Sequence, residues 1–280
     1  MTVTAKSSAS ANGTSNARGT ALVTGASSGI GAVYADRLAH RGYDLILVAR
    51  NAARMEALAT RLRAETGRTV EVLPSDLADA ADVAKVRDRL GSDPAITMLV
   101  NNAGVSLNGG LLENGPAELE RLIAINITAP TLLAAAAARA FVARKAGAIV
   151  NIASVLAVAP EMLDGVYSGS KAFILNLSID LAAKVRDAGV QVQAVLPGAT
   201  RTEIWERSGK DADALMPGLV MDPGDLVDAA LVGLDKGETV TIPPLADESQ
   251  WIAYDTARLA LAPNLSRSQV ADRYRPAVAA

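Results

Sequence analysis

Thr20-Ala21-Leu22-Val23-Thr24-Gly25-Ala26-Ser27-Ser28-Gly29-Ile30-Gly31 reads as a short apolar strand, a glycine-rich turn and the first turn of a helix. Glycine lets the backbone turn tightly and come close to a pyrophosphate. The start of the helix adds N–H donors and the positive end of a dipole. A glycine-rich turn can be only a turn, but its place between a strand and a helix points to dinucleotide binding. Gly25, Ser27, Ser28, Gly29, Ile30 and Gly31 are therefore candidate cofactor contacts.

Outward from that stretch, short apolar runs recur with helical segments between them. Residues 20–24, 44–49, 69–74, 96–100, 148–153, 190–196 and 239–242 are predicted strands. Met55, Leu58 and Leu62 fall on one face of a helix predicted over 51–65, with Asn51 as N-cap and Gly67 as its stop. Strands alternating with helices predict parallel βαβ units, hence an α/β sheet covered on both faces. Ligands of such sheets bind beyond the carboxyl ends of the strands, where strand order reverses.

The chain has 280 residues, enough for one sizeable core, with 50% apolar and 20% charged residues and a formal net charge of −3. That charge provides no basic field for nucleic acid or an anionic membrane surface, and neither partner is expected. The absence of cysteine excludes disulfides and thiolate metal sites and suits a cytoplasmic protein. No His, Asp and Glu cluster has ligand spacing, so no metal is expected. Residues 1–17 are rich in Ser, Thr, Ala, Asn and Gly and read as a disordered tail. The apolar stretch 129–143, interrupted by Arg139, is too short to span a bilayer and reads as a buried or subunit-facing helix. His40, the only histidine, falls in a helix C-terminal turn and is expected to be solvated.

The second strand ends in Ala49-Arg50, where a dinucleotide fold faces the adenosine ribose. A carboxylate there would accept from the ribose hydroxyls and repel a 2′-phosphate; a guanidinium binds that phosphate bidentately. Arg50 thus favours NADP(H) over NAD(H). Asp76-Leu77 after the third strand offers a carboxylate to the adenine amino group, and Asn101-Asn102-Ala103-Gly104 after the fourth offers small residues and strand-tying amides.

Tyr167 and Lys171 stand one helical turn apart. A phenol titrates near pH 10 in water; a neighbouring ammonium, with the positive charge of an oxidised nicotinamide, lowers that value and suits it to proton transfer. Ser154 follows the fifth strand, where its hydroxyl can orient a substrate oxygen, and Asn126 can fix a water that links Lys171 to solvent.

The ordered set of residues 24–31, Asp76, 101–104, Asn126, Ser154, Tyr167, Lys171 and Pro197-Gly198 resembles the short-chain dehydrogenase/reductase family over roughly 18–245. The resemblance implies a Rossmann-like, doubly wound, seven-stranded parallel sheet with helices on both faces. It also implies hydride transfer at nicotinamide C4, usually on the pro-S face. It gives Tyr167 the acid/base role, Ser154 substrate orientation, Lys171 pKa lowering and ribose binding, and Asn126 the proton relay. Pro197, Gly198 and Thr202 become the segment against the nicotinamide, and a homodimer or homotetramer is expected. The chain departs from the family's habit at Gly169, where alanine is usual. It departs again at 246–280, a short helical extension with stretches near 248–261 and 266–274, expected to pack on the same domain. The expected activity is interconversion of a carbonyl and an alcohol on a small, apolar or aromatic substrate held by Leu107, Leu156, Val158, Met162, Leu163, Trp205 and Met216. The competing reading is an NADP(H)-binding redox sensor without turnover, which has no need of the proton-handling residues.

Overall fold

The computed structural model describes residues 18–162, 165–207 and 211–275. The expected tail through residue 17 and residue Leu163 lie outside the described residues. By contacts the chain divides into one compact unit through Pro243 and a second from Pro244.

Seven parallel strands make one sheet in the order β3-β2-β1-β4-β5-β6-β7. They are β1 (Thr20–Thr24), β2 (Asp44–Ala49), β3 (Val70–Pro74), β4 (Ile96–Asn101), β5 (Gly147–Ile152), β6 (Val190–Val195) and β7 (Val240–Thr241). The seventh strand is only two residues long, shorter than its apolar run suggested. Between and after the strands lie α1 (Gly29–His40), α2 (Ala52–Thr66), α3 (Ala80–Ser92), α4 (Pro116–Ile123), α5 (Ala129–Arg144), α6 (Gly165–Val185), α7 (Glu203–Arg207), α8 (Ala212–Leu215) and α9 (Pro223–Asp235). The second unit carries α10 (Glu248–Leu261).

Successive side chains of a strand point to opposite faces, and here both faces are apolar. Ala21 and Val23 join Tyr34 and Leu38 of α1 and Leu226 and Leu231 of α9 on one face. Leu22 joins Val86 of α3 and Leu133, Ala137 and Phe141 of α5 on the other. This two-sided burial is why the strands read as continuous hydrophobic runs. The chain winds from β1 outward to β3, then returns so that β4 pairs on the opposite side of β1. The loops after β1 and β4 therefore diverge and leave a crevice at the carboxyl ends.

Local signals operate as expected in α2: the Asn51 side chain accepts from Arg54 N at 3.0 Å, and Gly67 closes the helix in the left-handed region at φ 66°. His40 ends α1 and lies exposed. Helices α4 and α5 are one run, Pro116–Arg144, joined by a π-helical turn at Ala124–Thr128. That run is long and apolar enough to cross a bilayer, but 56% of its most apolar window is buried inside the protein. In the second unit Asp247 caps α10 by accepting from Ser249 N at 2.9 Å, and the Trp251 and Tyr254 rings stand 5.3 Å apart. The helix expected near 266–274 is only a 3₁₀ turn, Asp272–Tyr274; so short a segment gains too few bonds to offset helix nucleation.

Gly169 sits on an exposed position of α6, and a Cβ added there meets nothing within 4 Å. No close approach requires the glycine. Gly169→Ala should therefore raise stability by up to about 1 kcal/mol through helix propensity alone. Thermal unfolding of the two proteins reads this directly; a destabilised variant would mean that the position is covered.

Candidate active site

A cleft of about 850 Å³ opens over the carboxyl ends of the central strands. Its floor is the glycine-rich turn, held by a small set of polar bonds. The Thr24 hydroxyl donates to Val100 O at 3.2 Å and accepts from the backbone N–H groups of Asn102 and Ala103 at 2.9 and 3.0 Å. The Asn102 side chain donates back to Thr24 O at 2.9 Å. Gly25 and Gly29 have positive φ, 67° and 54°, and a Cβ on Gly25 would stand 2.7 Å from the Asn102 amide nitrogen. The turn is therefore restricted to glycine by conformation and by crowding.

Gly25, Ser27, Ser28, Gly29 and Ile30 line the cleft beside Asn102, Ala103 and Gly104. Gly31 does not: it is buried beneath the turn, where a side chain would collide with Gly25 O and the Asn102 amide. Its role is to let α1 approach the turn closely rather than to contact a ligand.

At the end of β2, Arg50 is exposed and lines the cleft with Ala49, Asn51 and Ala52. Asp76 and Leu77 follow β3 on the same wall. Burial works to raise the Asp76 pKa, but the Ala78 N–H and the Arg121 and Arg50 guanidinium groups outweigh it and hold the carboxyl below its ordinary value. Arg121 of α4 lies 3.4 Å from both carboxylate oxygens. It was not foreseen, since a contact between residues 45 apart leaves no local pattern.

Ser154 follows β5 in extended conformation and caps a 3₁₀ turn, Val155–Ala157, by accepting from Leu156 N at 3.2 Å. Its side chain also hydrogen-bonds the Tyr167 phenol. Lys171, one turn along α6, is buried; its Nζ donates to Ile152 O at 2.9 Å and lies 5.6 Å from the centre of the Tyr167 ring. Burial pushes the Tyr167 phenol up to about 12, with the Ser154 bond acting weakly the other way. Burial likewise lowers Lys171 to about 8. The four-residue spacing implies an ammonium that, together with the positive charge of an oxidised nicotinamide, depresses the phenol. Among the protein groups alone desolvation wins, because both charged forms are disfavoured in the same low-dielectric wall.

Asn126 lies in the π-helical turn, buried behind the wall. Its amide nitrogen donates to Val105 O at 2.9 Å and to Ser170 Oγ at 3.1 Å, and its oxygen accepts from Val105 N at 2.9 Å. Ser170 in turn donates to Tyr167 O at 2.6 Å. The side chain therefore braces the loop after β4 against α6.

Pro197, Gly198 and Thr202 line the opposite wall, after β6. Of the expected apolar pocket, Leu156, Met162, Trp205 and Met216 line the cleft. Leu107 is buried elsewhere, and among the described residues neither it nor Val158 contributes to the wall. The Trp205 indole donates to Thr200 O at 2.9 Å, which fixes the ring's edge.

Comparison with known proteins agrees with this geometry. Residues 19–213 match the family model for short chain dehydrogenases. A short-chain dehydrogenase from Sphingobium yanoikuyae, solved in complex with NADPH, is 52% identical with a TM-score of 0.89, over 91% of this chain and 100% of that one. A bulky-bulky ketone specific alcohol dehydrogenase from Comamonas testosteroni is 45% identical with a TM-score of 0.85, over 92% and 99%. Human 17-beta-hydroxysteroid dehydrogenase type 3 is 33% identical over 184 residues, 65% of this chain and 59% of that protein. The chain thus spans about three fifths of the length of such curated relatives.

The Lys171 environment has a measurable consequence. A lysine whose folded value is depressed to about 8 from 10.5 leaves the unfolded chain binding more protons between those pH values. Stability should therefore rise with pH across that window. Relative to Lys171→Met, wild type should gain on the order of 3 kcal/mol from pH 8 to 10.5. Denaturant titrations at both pH values test it; parallel behaviour of the two proteins would place the ammonium in a solvated environment.

Proposed function

The chain belongs to the short-chain dehydrogenase family, a family of oxidoreductases acting on hydroxyl and carbonyl groups, and from that premise we propose that it interconverts a bulky apolar ketone and its secondary alcohol with NADP(H) in preference to NAD(H). The observation that carries the reading is the Ser154–Tyr167 hydrogen bond with Lys171 one turn away, opening into a cleft walled by Leu156, Met162, Trp205 and Met216.

The protein fits a dinucleotide. Gly25, Ser27, Ser28 and Gly29 line the floor where a pyrophosphate would approach, and the N-terminus of α1 lies among them. Asp76, held ionised, suits the adenine amino group, and Arg50 suits a 2′-phosphate. When bound, the nicotinamide supplies or accepts the hydride. The remaining chemistry falls to the protein. Ser154 donates to the carbonyl oxygen and orients it; Tyr167, protonated at neutral pH, gives that oxygen its proton as the carbon is reduced. In the alcohol-oxidising direction the phenol must lose its proton, and positive charge brought beside it lowers its pKa. Lys171 replaces the phenol's proton, with Asn126 at the inner end of a path to solvent.

The bulky-substrate assignment rests on the four apolar side chains and on the alcohol dehydrogenase relative specific for bulky-bulky ketones. We also propose a homodimer or homotetramer, since Leu132 and Val142 on α5 and Phe173 on α6 expose apolar surface. Buried use of the Pro116–Arg144 run and the lack of cysteine support a cytoplasmic location.

NADPH oxidation, followed by absorbance with diaryl and alkyl-aryl ketones, tests the reaction. Tyr167→Phe should lower turnover about 10²- to 10⁴-fold, the usual contribution of a positioned proton donor. A chain that binds NADPH but turns over no carbonyl would fit the sensor reading instead.

Cofactor choice is tested separately. Arg50→Asp should weaken NADPH binding about tenfold or more while sparing NADH, the loss expected for a charge-assisted bond. Equal losses for both cofactors would make Arg50 structural.

A further inference from the structure

Arg54 and Glu203 are 149 residues apart in sequence, yet one guanidinium nitrogen, Nη1 of Arg54, lies 2.8 Å from both carboxylate oxygens of Glu203. Arg54 is in the first turn of α2, on the β2 side of the sheet's crevice. Glu203 opens α7, in the segment that follows β6 on the other side. A bond between them has to cross the groove in which Arg50 and the glycine-rich turn lie.

A second contact marks the crossing point. A Cβ built on Gly29 would stand 3.1 Å from Thr202 Cγ2. Thr202 therefore rests directly on the glycine-rich turn, and its neighbour Glu203 reaches beyond it to α2. Thr202, Glu203, Ile204 and Trp205 all line the cleft, as do Asn51 and Ala52 next to Arg54. The segment is a strap over the groove, and the ion pair closes its far end.

We propose that Arg54 and Glu203 are positioning residues for the cofactor: their ion pair clasps the 202–205 strap across the dinucleotide groove, so that NADP(H) leaves only when the clasp opens. The inference rests on the NADP(H) reading above. The clasp acts on release, since the strap rests on the glycine-rich turn that would hold the dinucleotide. It also fixes the segment that carries Trp205 to the ketone side of the cleft, so cofactor retention and substrate-wall placement depend on one contact. The pair is partly solvated, with side-chain exposures of 50% and 34%. Its effect is therefore modest and sensitive to salt.

The chain has no cysteine, so an Arg54→Cys/Glu203→Cys double variant can be joined at those two thiols alone by a short bifunctional maleimide. NADPH release from preloaded protein, followed by stopped-flow fluorescence on dilution into excess unlabelled NADP⁺, is the measurement. Crosslinking should slow release at least tenfold relative to the same variant left unlinked. Arg54→Gln should speed it about two- to fivefold at low salt, the range for an exposed pair, and match wild type in high salt. Equal release from linked and unlinked protein, or wild-type release from Arg54→Gln at low salt, would overturn the clasp while leaving NADPH binding intact. Wild-type protein that retains no NADPH would overturn the cofactor reading, and the clasp with it.

Discussion

Two neighbouring strands whose connections run in opposite directions cannot be tied beyond their ends by ladder hydrogen bonds, and in this protein the Thr24 hydroxyl makes that tie. It donates once and accepts twice between the ends of β1 and β4, with the Asn102 amide closing the same gap from the other side. The glycine-rich turn is thereby fixed against the loop after β4. A buried hydroxyl or amide is stabilising only when its bonds are made. A cluster in which each member satisfies another fixes the glycine-rich turn against the loop after β4, and the placing of Gly25 beside Ala103 on the cleft floor follows from it.

The same logic carries α6. Asn101 donates to Asn151 at 2.9 Å, Asn151 donates to Ser178 of α6 at 2.9 Å, and Ser178 donates to Ile174 O within that helix at 2.7 Å. Lys171 reaches Ile152 O on β5 from a point higher on α6, and Asn126 holds Ser170 from the opposite side. Helix α6 is thus registered against β4, β5 and the π-helical turn by polar contacts buried in an otherwise apolar interface. Apolar packing alone tolerates sliding by fractions of an ångström; directional bonds do not. Tyr167 inherits its placement relative to Ser154 from this bracing.

Sequence alone carried the sheet well because its central strands are buried on both faces and bounded by turns, so 44–49 and 20–24 coincide with β2 and β1. Motifs confined to one turn were equally legible: the glycine-rich loop, the Asn-Asn-Ala-Gly turn, and Tyr167 with Lys171. Two kinds of information were not. One was depth: Gly31 and Leu107 have the composition of cleft residues, but burial beneath the surface is decided by neighbours distant in sequence. The other was pairing across the fold, since nothing near Asp76 announces Arg121 and nothing near Arg54 announces Glu203. The Tyr167 pKa belongs to the second kind, because desolvation is a property of the assembled wall rather than of a four-residue spacing.

The two walls of the cleft differ in how they are held, and the difference bears on how such a site works. The floor and the α6 side are secured by buried bonds whose loss would leave polar groups unsatisfied away from water. The contacts of the strap after β6 include Trp205 to Thr200 and the Arg201–Asp213 and Arg54–Glu203 pairs, whose charged ends are partly in water. Exposed pairs form and break at little net free-energy change, so they restrain this wall less than buried bonds restrain the other. Chemistry at such a site requires reacting groups held to within fractions of an ångström, whereas exchange of bound molecules requires an exit. Ser154, Tyr167 and Lys171 stand on the side held by buried bonds, whereas the apolar lining is shared between the two: Leu156 and Met162 follow β5, and Trp205 and Met216 follow β6.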